Sequence, residues 1–213
     1  MIDSEEAAVG WLRALPECDD SAMARLEKLV ELLREENGRQ NLVSAASLES
    51  VWRRHIVDSA QLLPFVPRGT TPWLDLGTGA GFPGLVVAAL RPDCEVIMVE
   101  SRARRVEWLN RACGELGLDS ARVIGLRLEQ IESRDVGVIS ARAFAPLPRL
   151  LSLSARFSTA DTLWLLPKGQ SAQQELDELR DWTNMFHVEQ SVTDRYSGVI
   201  VGHLTGSSKG ARK

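Results

Sequence analysis

Three glycines, Gly77, Gly79 and Gly81, follow closely behind Asp75, and a second carboxylate, Glu100, lies 23 residues beyond the first of them. Glycine lets the main chain take angles that a side chain forbids and lets a ligand come close to it. A carboxylate about 20 residues after such a turn suits a ribose, because it accepts two hydroxyl hydrogen bonds at once. These groups can do that chemistry only if a strand and a helix flank the turn. Trp73, Leu74 and Leu76 read as a short buried strand, and Leu85 to Leu90 as an apolar helix with Pro83 near its first turn, a position proline tolerates. The free N–H groups of that first turn are expected to face the ligand. Residues 94–99 read as a second strand that ends at Glu100. The spacing is G-x-G-x-G rather than the G-x-G-x-x-G of dinucleotide folds, although Gly84 blurs the difference. Strand, glycine loop, helix, strand and terminal acid in this order favour a mononucleotide-type ligand over a tight turn alone.

From Pro72 onward strands and helices alternate, as a parallel α/β sheet requires. A helix over about 103–116 turns Val106, Leu109 and Leu116 inward. Its other faces carry Arg102, Arg104, Arg105 and Arg111 with Trp108 among them, a run of the kind that usually meets solvent. Further strands are expected over about 122–126, 136–140 and 162–166, helices over 146–157 and 172–182, and a closing antiparallel hairpin from 185–192 and 199–204. Polar residues then collect at successive strand ends: Gly77, Glu100, Arg127 with Glu129, Arg142 and Lys168. That edge is where open α/β sheets bind ligands.

Residues 1–70 read as helices. Asp3 with Glu6 forms a capping box for the first, and Pro16 stops it. A second runs over about 20–36. A third, over about 48–63, carries Arg53, Arg54, His55 and Asp58. The expected organisation is a helical region over 1–70 packed on a main domain over 71–205, with a flexible basic tail over 206–213.

Composition removes several classes of function. The 213 residues are 44% hydrophobic and 25% charged, which suits a globular chain. A net charge of −4 excludes bulk basicity as a route to nucleic acid, leaving only a local patch. The cations are 21 Arg and 4 Lys. Arginine forks grip phosphate and stack on bases, although genomic bias produces the same skew. Cys18, Cys94 and Cys113 form no C-x-x-C and read as reduced thiols. His55, His187 and His203 show no metal-ligand spacing, so no metal is expected. No apolar stretch approaches the length of a membrane span, and the acidic start MIDSEEAAVG lacks a signal-peptide core.

With these residues in view, the chain resembles the bacterial glucose-inhibited division protein B family. The likeness runs over about 34–204. It is carried by NLVS (41–44), RHIVDS (54–59), LDLGTGAGFPG (74–84), VESRARRVEWL (99–109), RLE (127–129), ARAFAPL (141–147) and LPKG (166–169). The glycine loop is shared with many methyltransferases, whereas RHIVDS, GFPG and ARAFAPL are more specific. Departures are small: Glu100 stands where Asp is common, and Leu128 where Val is usual.

The resemblance implies a seven-stranded Rossmann-like methyltransferase fold with an N-terminal helical extension. It implies a cytoplasmic enzyme that uses S-adenosylmethionine to methylate N7 of a guanine in the 530 loop of 16S rRNA, either naked or in the small ribosomal subunit; a monomer is expected. Gly77, Gly79 and Phe82 would line the methionine side of the cofactor, Glu100 would hold its ribose, and Leu128 and Glu129 would border its adenine. Arg142 would lie near the methionine carboxylate or the target base and is the candidate catalytic residue. Arg54, His55, Arg127, Lys168 and Arg195 would contact rRNA. The competing readings are an NAD-dependent oxidoreductase, a non-catalytic ribosome-binding protein with a relic cofactor site, and a small-molecule methyltransferase. The first lacks its glycine spacing, and the last has no use for the arginines.

Overall fold

Trp73–Leu76 forms β1, buried at all four residues, as parallel strands covered on both faces must be. β1 pairs in parallel with β2 (Val96–Val99) on one side and β4 (Val138–Ala141) on the other. β3 (Ala121–Ile124) lies beyond β2, and β5 (Leu163–Lys168) beyond β4. β8 (Gly198–Ser207) runs antiparallel to β5. β7 (His187–Gln190) pairs with residues 198–201 of β8, and β6 (Trp182–Asn184) with residues 204–207. The order is β3-β2-β1-β4-β5-β8-β6 with β7 beside β8. The seven-position sheet therefore has a last position shared by two short strands. These features come from a computed structural model that describes residues 1–180 and 182–207.

Alternation along each strand divides the core in two. Trp73, Val96, Met98 and Val138 face α5 (Gly84–Leu90), α6 (Ala103–Glu115) and the N-terminal helices. Leu74, Leu76, Ile97, Val99 and Ile139 face α7 (Leu147–Ser154) and Ala172 of α8 (Ala172–Asp177). The N-terminal region comprises α1 (Glu5–Arg13), α2 (Asp20–Asn37), α3 (Ala45–Glu49), a π-helical turn (Trp52–Val57) and α4 (Asp58–Ala60). Met23, Leu26, Val30 and Leu33 of α2 join the same core as the sheet.

Four local expectations need correction. Ser4, not Asp3, caps α1 and accepts the Ala7 N–H at 3.1 Å. The helix expected over 48–63 is broken at Ser50, because the Glu5 carboxylate takes the N–H groups of Trp52 and Arg53 at 3.0 and 2.9 Å and starts a new, wider turn there. α8 stops at Asp177, and Trp182 belongs to β6, packed against the second core. Residues 206 and 207 continue β8 rather than opening a tail, and residues 208–213 lie outside the described residues.

Asp75 of β1 is fully buried. Its Oδ1 accepts the Ser140 hydroxyl of β4 at 2.8 Å, and its Oδ2 accepts the Gly84 N–H that opens α5 at 3.0 Å. The Trp73 indole donates in turn to Ser140 Oγ at 2.8 Å. Burial raises the Asp75 pKa to about 6 against the lowering effect of these bonds. The folded chain therefore holds this proton more tightly than the unfolded chain. The stabilisation is complete below about pH 4, is lost as pH rises through about 6, and is constant above that. Asp75→Asn keeps the shape without the charge. Its stability relative to the parent should rise by roughly 3 kcal/mol between pH 4 and 7, which urea unfolding at the two pH values would measure.

Candidate functional site

Leu76, Val99 and Ile124 are paired in register, so Gly77, Glu100 and Gly125 leave β1, β2 and β3 side by side. In the loop after β1, Gly77 and Gly79 each have φ +61° and are partly exposed, while Thr78 and Ala80 are buried. Trp108, expected on the solvated side of α6, is buried and donates its indole N–H to the Ala80 carbonyl at 3.0 Å. It anchors the loop from below. The N–H groups of the first turn of α5 do not face a ligand. Gly84 gives its N–H to Asp75, Leu85 to the Gly81 carbonyl, and Val86 and Val87 to the Pro83 carbonyl. The loop thus presents the bare backbone of Gly77 and Gly79 instead.

Two side chains lie over those glycines. A Cβ at Gly77 would run into the Phe144 ring, and one at Gly79 would stand 3.3 Å from the Arg105 guanidinium. Glu100 is buried; its Oε1 accepts the N–H groups of Ser101 and Arg102 at 2.7 and 2.9 Å. Its Oε2 stands 3.7 Å from Arg105 and accepts no hydrogen bond among the described residues. Leu128 is buried at the start of a 3₁₀ turn (Leu128–Gln130), with Arg127 and Glu129 exposed beside it.

On the other side of Phe144 a cleft of about 800 Å³ opens between the ends of β4 and β5 and the N-terminal region. Arg54, His55, Arg142 and Lys168 line it. Arg142 donates to Asp58 Oδ2 at 3.2 Å, to the Arg54 carbonyl at 3.3 Å, and to His55 Nδ1 at 3.2 Å. Its guanidinium sits 5.3 Å from the centre of the Phe82 ring, on which His55 also stacks at 5.0 Å. Because Arg142 can only donate, His55 Nδ1 is the acceptor, and the proton belongs on Nε2, which reaches Ser47 Oγ at 3.0 Å. Burial, with Arg142 and Arg54 adding to it, lowers the His55 pKa to about 3. The imidazole is neutral.

The acids of the cleft are likewise engaged. Asp58 Oδ1 accepts from Gln61 and Thr193, each at 3.0 Å. Glu175 pairs with Lys168 at 2.8 Å and also caps the N-terminus of α7 through Leu147; although burial alone would raise its pKa, the bonds from Lys168, Leu147 and Ser171 bring it below the usual value. Lys168 is thereby committed to Glu175 and to the Ala145 carbonyl. Asp194 pairs with Arg54 at 3.3 Å.

The structure brings Arg54, His55, Arg142 and Lys168 around one cleft, buries Phe82 beneath His55 and Arg142, and places Gly77, Gly79, Glu100, Leu128 and Glu129 along the neighbouring strand ends. Arg127 is apart from the cleft, and Arg195 lies on the β7–β8 turn beside Tyr196. Phe144 joins the site without having been singled out by sequence, and Asp58 and Arg105, named there only among the polar residues of their helices, join it too. Asp58 was legible in RHIVDS, four residues after Arg54 and so on the same side of a helical turn. Phe144 follows Ala143, the one non-glycine residue with positive φ (53°) among those described, a strain that commonly marks functional loops. Among the described residues no three His, Cys, Asp or Glu side chains converge as a metal would need.

Residues 22–199 match the family model described as rRNA small subunit methyltransferase G. The chain is 58% identical over 203 residues to the Ribosomal RNA small subunit methyltransferase G of Erythrobacter litoralis, covering 95% of this chain and 97% of that one. It is 57% identical over 212 residues to the protein of the same name from Novosphingobium aromaticivorans, covering 98% and 92%. Among solved structures it resembles a putative O-methyltransferase from Klebsiella pneumoniae, with TM-score 0.61 and 16% identity over 94% of this chain and 97% of that one. It also resembles a mutant of MtNAS in complex with S-adenosylmethionine, with TM-score 0.57 and 17% identity over 96% and 84%. At such identities these structures speak for the Rossmann-like fold alone.

The His55 assignment is directly measurable. Imidazole NMR across pH should show His55 uncharged and protonated on Nε2 down to about pH 4. Arg142→Met should move its pKa upward, because the nearby cation is the second cause of the depression. A His55 titration near the ordinary value in the unaltered chain would contradict the network.

Proposed function

The chain belongs to the rRNA small subunit methyltransferase G family, and from that premise we propose that it methylates N7 of a guanine in the 530 loop of 16S rRNA in the cytoplasm, with S-adenosylmethionine as donor. The observation that carries the choice of a ring nitrogen is the pairing state of the cleft. His55 is neutral with its acceptor nitrogen taken by Arg142, and Asp58, Glu175 and Asp194 are all ion-paired. No proton acceptor stands ready near neutral pH among the described residues of the cleft. A nucleophile with a free lone pair and no proton to lose, such as guanine N7, needs none.

The residues fit the cofactor. Gly77 and Gly79 offer main chain that carries no side chain of its own, beneath the Phe144 ring and the Arg105 guanidinium, and Glu100 Oε2 is a buried acceptor with capacity for ribose hydroxyls. When bound, S-adenosylmethionine supplies a methyl group on a sulfonium, a leaving group that departs neutral. Phe82, beneath His55 and Arg142, closes the methionine side, and Leu128 with Glu129 borders the adenine. Arg142 is fixed by Asp58, the Arg54 carbonyl and His55, and holds the base in line by donating to guanine O6, which leaves the N7 lone pair free. Arg54, Arg127 and Arg195 serve the phosphates. Lys168 shapes the cleft through Glu175.

Incubation with labelled S-adenosylmethionine and either 16S rRNA or small subunits, followed by mapping of the modified nucleotide, tests this reading. Label on an exocyclic amine, or none on RNA, would overturn it. Calorimetry should show binding of S-adenosylmethionine and none of NAD. Gly77→Ala should abolish that binding, because the new methyl meets Phe144 and the left-handed backbone costs about 1 kcal/mol besides. Single-turnover rates should be flat from about pH 6.5 to 9, and Arg142→Ala should lower them by roughly two orders of magnitude while weakening RNA binding much less.

A further inference from the structure

The β7–β8 turn carries the chain's only tyrosine, Tyr196, 65% exposed. A single exposed aromatic residue is ordinary, but this one stands on a tightly bonded turn. Asp194 accepts the Tyr196 N–H through Oδ1 at 2.9 Å and the Arg54 guanidinium through Oδ2 at 3.3 Å. The Asp194 carbonyl accepts the Ser197 N–H at 3.2 Å and the Gln190 amide at 3.1 Å, and that amide also reaches the Ser197 carbonyl at 2.8 Å. Thr193 donates to Asp58 at 3.0 Å, so the turn hangs from the carboxylate that orients Arg142. Asp194 and Ser197 line the cleft, which puts Tyr196 at its rim. The Arg195 guanidinium lies 5.7 Å from the ring centre. An exposed aromatic ring on a tightly bonded turn thus stands outside the cleft, with Arg54 paired to Asp194 on one side and Arg195 5.7 Å from the ring centre.

We propose that Tyr196 is a stacking platform for an unpaired base of the substrate RNA next to the base that enters the cleft, with Arg54 and Arg195 on the flanking phosphates. The proposal rests on the rRNA-methyltransferase reading. A base whose ring nitrogen must reach a cleft has to leave its stack, and its neighbour loses a stacking partner. An aromatic ring at the rim replaces that partner whatever the base, because every base has a π-face. Arg195, with the half-exposed Arg54 beside it and paired to Asp194, supplies local positive charge that the chain as a whole, at −4, does not.

The test uses the full chain and whichever of 16S rRNA or small subunits the wild type methylates. Tyr196→Ala should raise the RNA Kd roughly five- to a hundred-fold, with the salt slope, the S-adenosylmethionine Kd and the single-turnover rate at saturating RNA unchanged. Tyr196→Phe should stay within about two-fold of wild type, since it keeps the ring. Tyr196→Leu keeps apolar area but has no π-face and should behave like the alanine variant. Wild-type-like affinity in Tyr196→Ala overturns the platform. Wild-type-like affinity in Tyr196→Leu with loss in Tyr196→Ala shows that apolar area without a π-face suffices and also overturns it, as does a Tyr196→Phe variant as weak as alanine. Absence of methylation by the wild type would instead strike the underlying reading, a failure that no Tyr196 variant can mimic.

Discussion

The buried Asp75 carboxylate is the joint on which the site is built. It binds Ser140 on the neighbouring strand and the first N–H of α5, so one side chain fixes β1, β4 and the helix that follows the glycine loop. Gly84 must be glycine for this to close: a Cβ there would meet Met98 at 2.5 Å and Asp75 itself at 3.0 Å. Trp108 holds the loop from the α6 side. Between these anchors, Gly77 and Gly79 are shaped by what packs above them rather than by the need to pair.

A second constraint acts across the cleft. The cations that face it are balanced locally: Arg142 by Asp58, Arg54 by Asp194, Lys168 by Glu175. Buried or half-buried charge survives only when paired and hydrogen-bonded, and pairing also aims each side chain. The N-terminal region is therefore not a cover laid over a finished sheet. It contributes Arg54, His55 and Asp58, and Asp58 links the π-helical turn, β4 through Arg142, and the β7–β8 turn through Thr193. That π-helical turn exists because Glu5, far away in sequence, caps it, so the aim of Arg142 depends on where α1 is docked.

Much of this is legible in the sequence, and what is not has a common cause. β1, β2 and β5 are apolar runs with turn signals, and α2 is a clean amphipathic repeat; local chemistry decides such elements. The break at Ser50, the early end of α8 and the role of Asp75 each depend on a partner from elsewhere in the chain: Glu5, β8 and Ser140. Trp108 reads as solvated because its neighbours are arginines, yet it adjoins Leu109 and a buried stripe wide enough for both. The strand-end residues Gly77, Glu100, Arg142 and Lys168 can be named from topology alone. Which of them keep spare capacity, as Glu100 Oε2 does, and which are spent on pairing, as Lys168 is, is a property of three-dimensional proximity that spacing does not encode.

Phe144 joins the two halves of the site. Its ring lies against Gly77 on one side and lines the cleft on the other. It stands one residue beyond Ala143, whose left-handed backbone, φ 53°, is what turns the chain back over the glycine loop. The ring thus borders both the glycine loop and the cleft. Gly77 is glycine for a reason internal to the protein as much as for a ligand: any side chain there would strike Phe144 first. The glycine that marks the loop in the sequence is also the one that lets the Phe144 ring stand where it does.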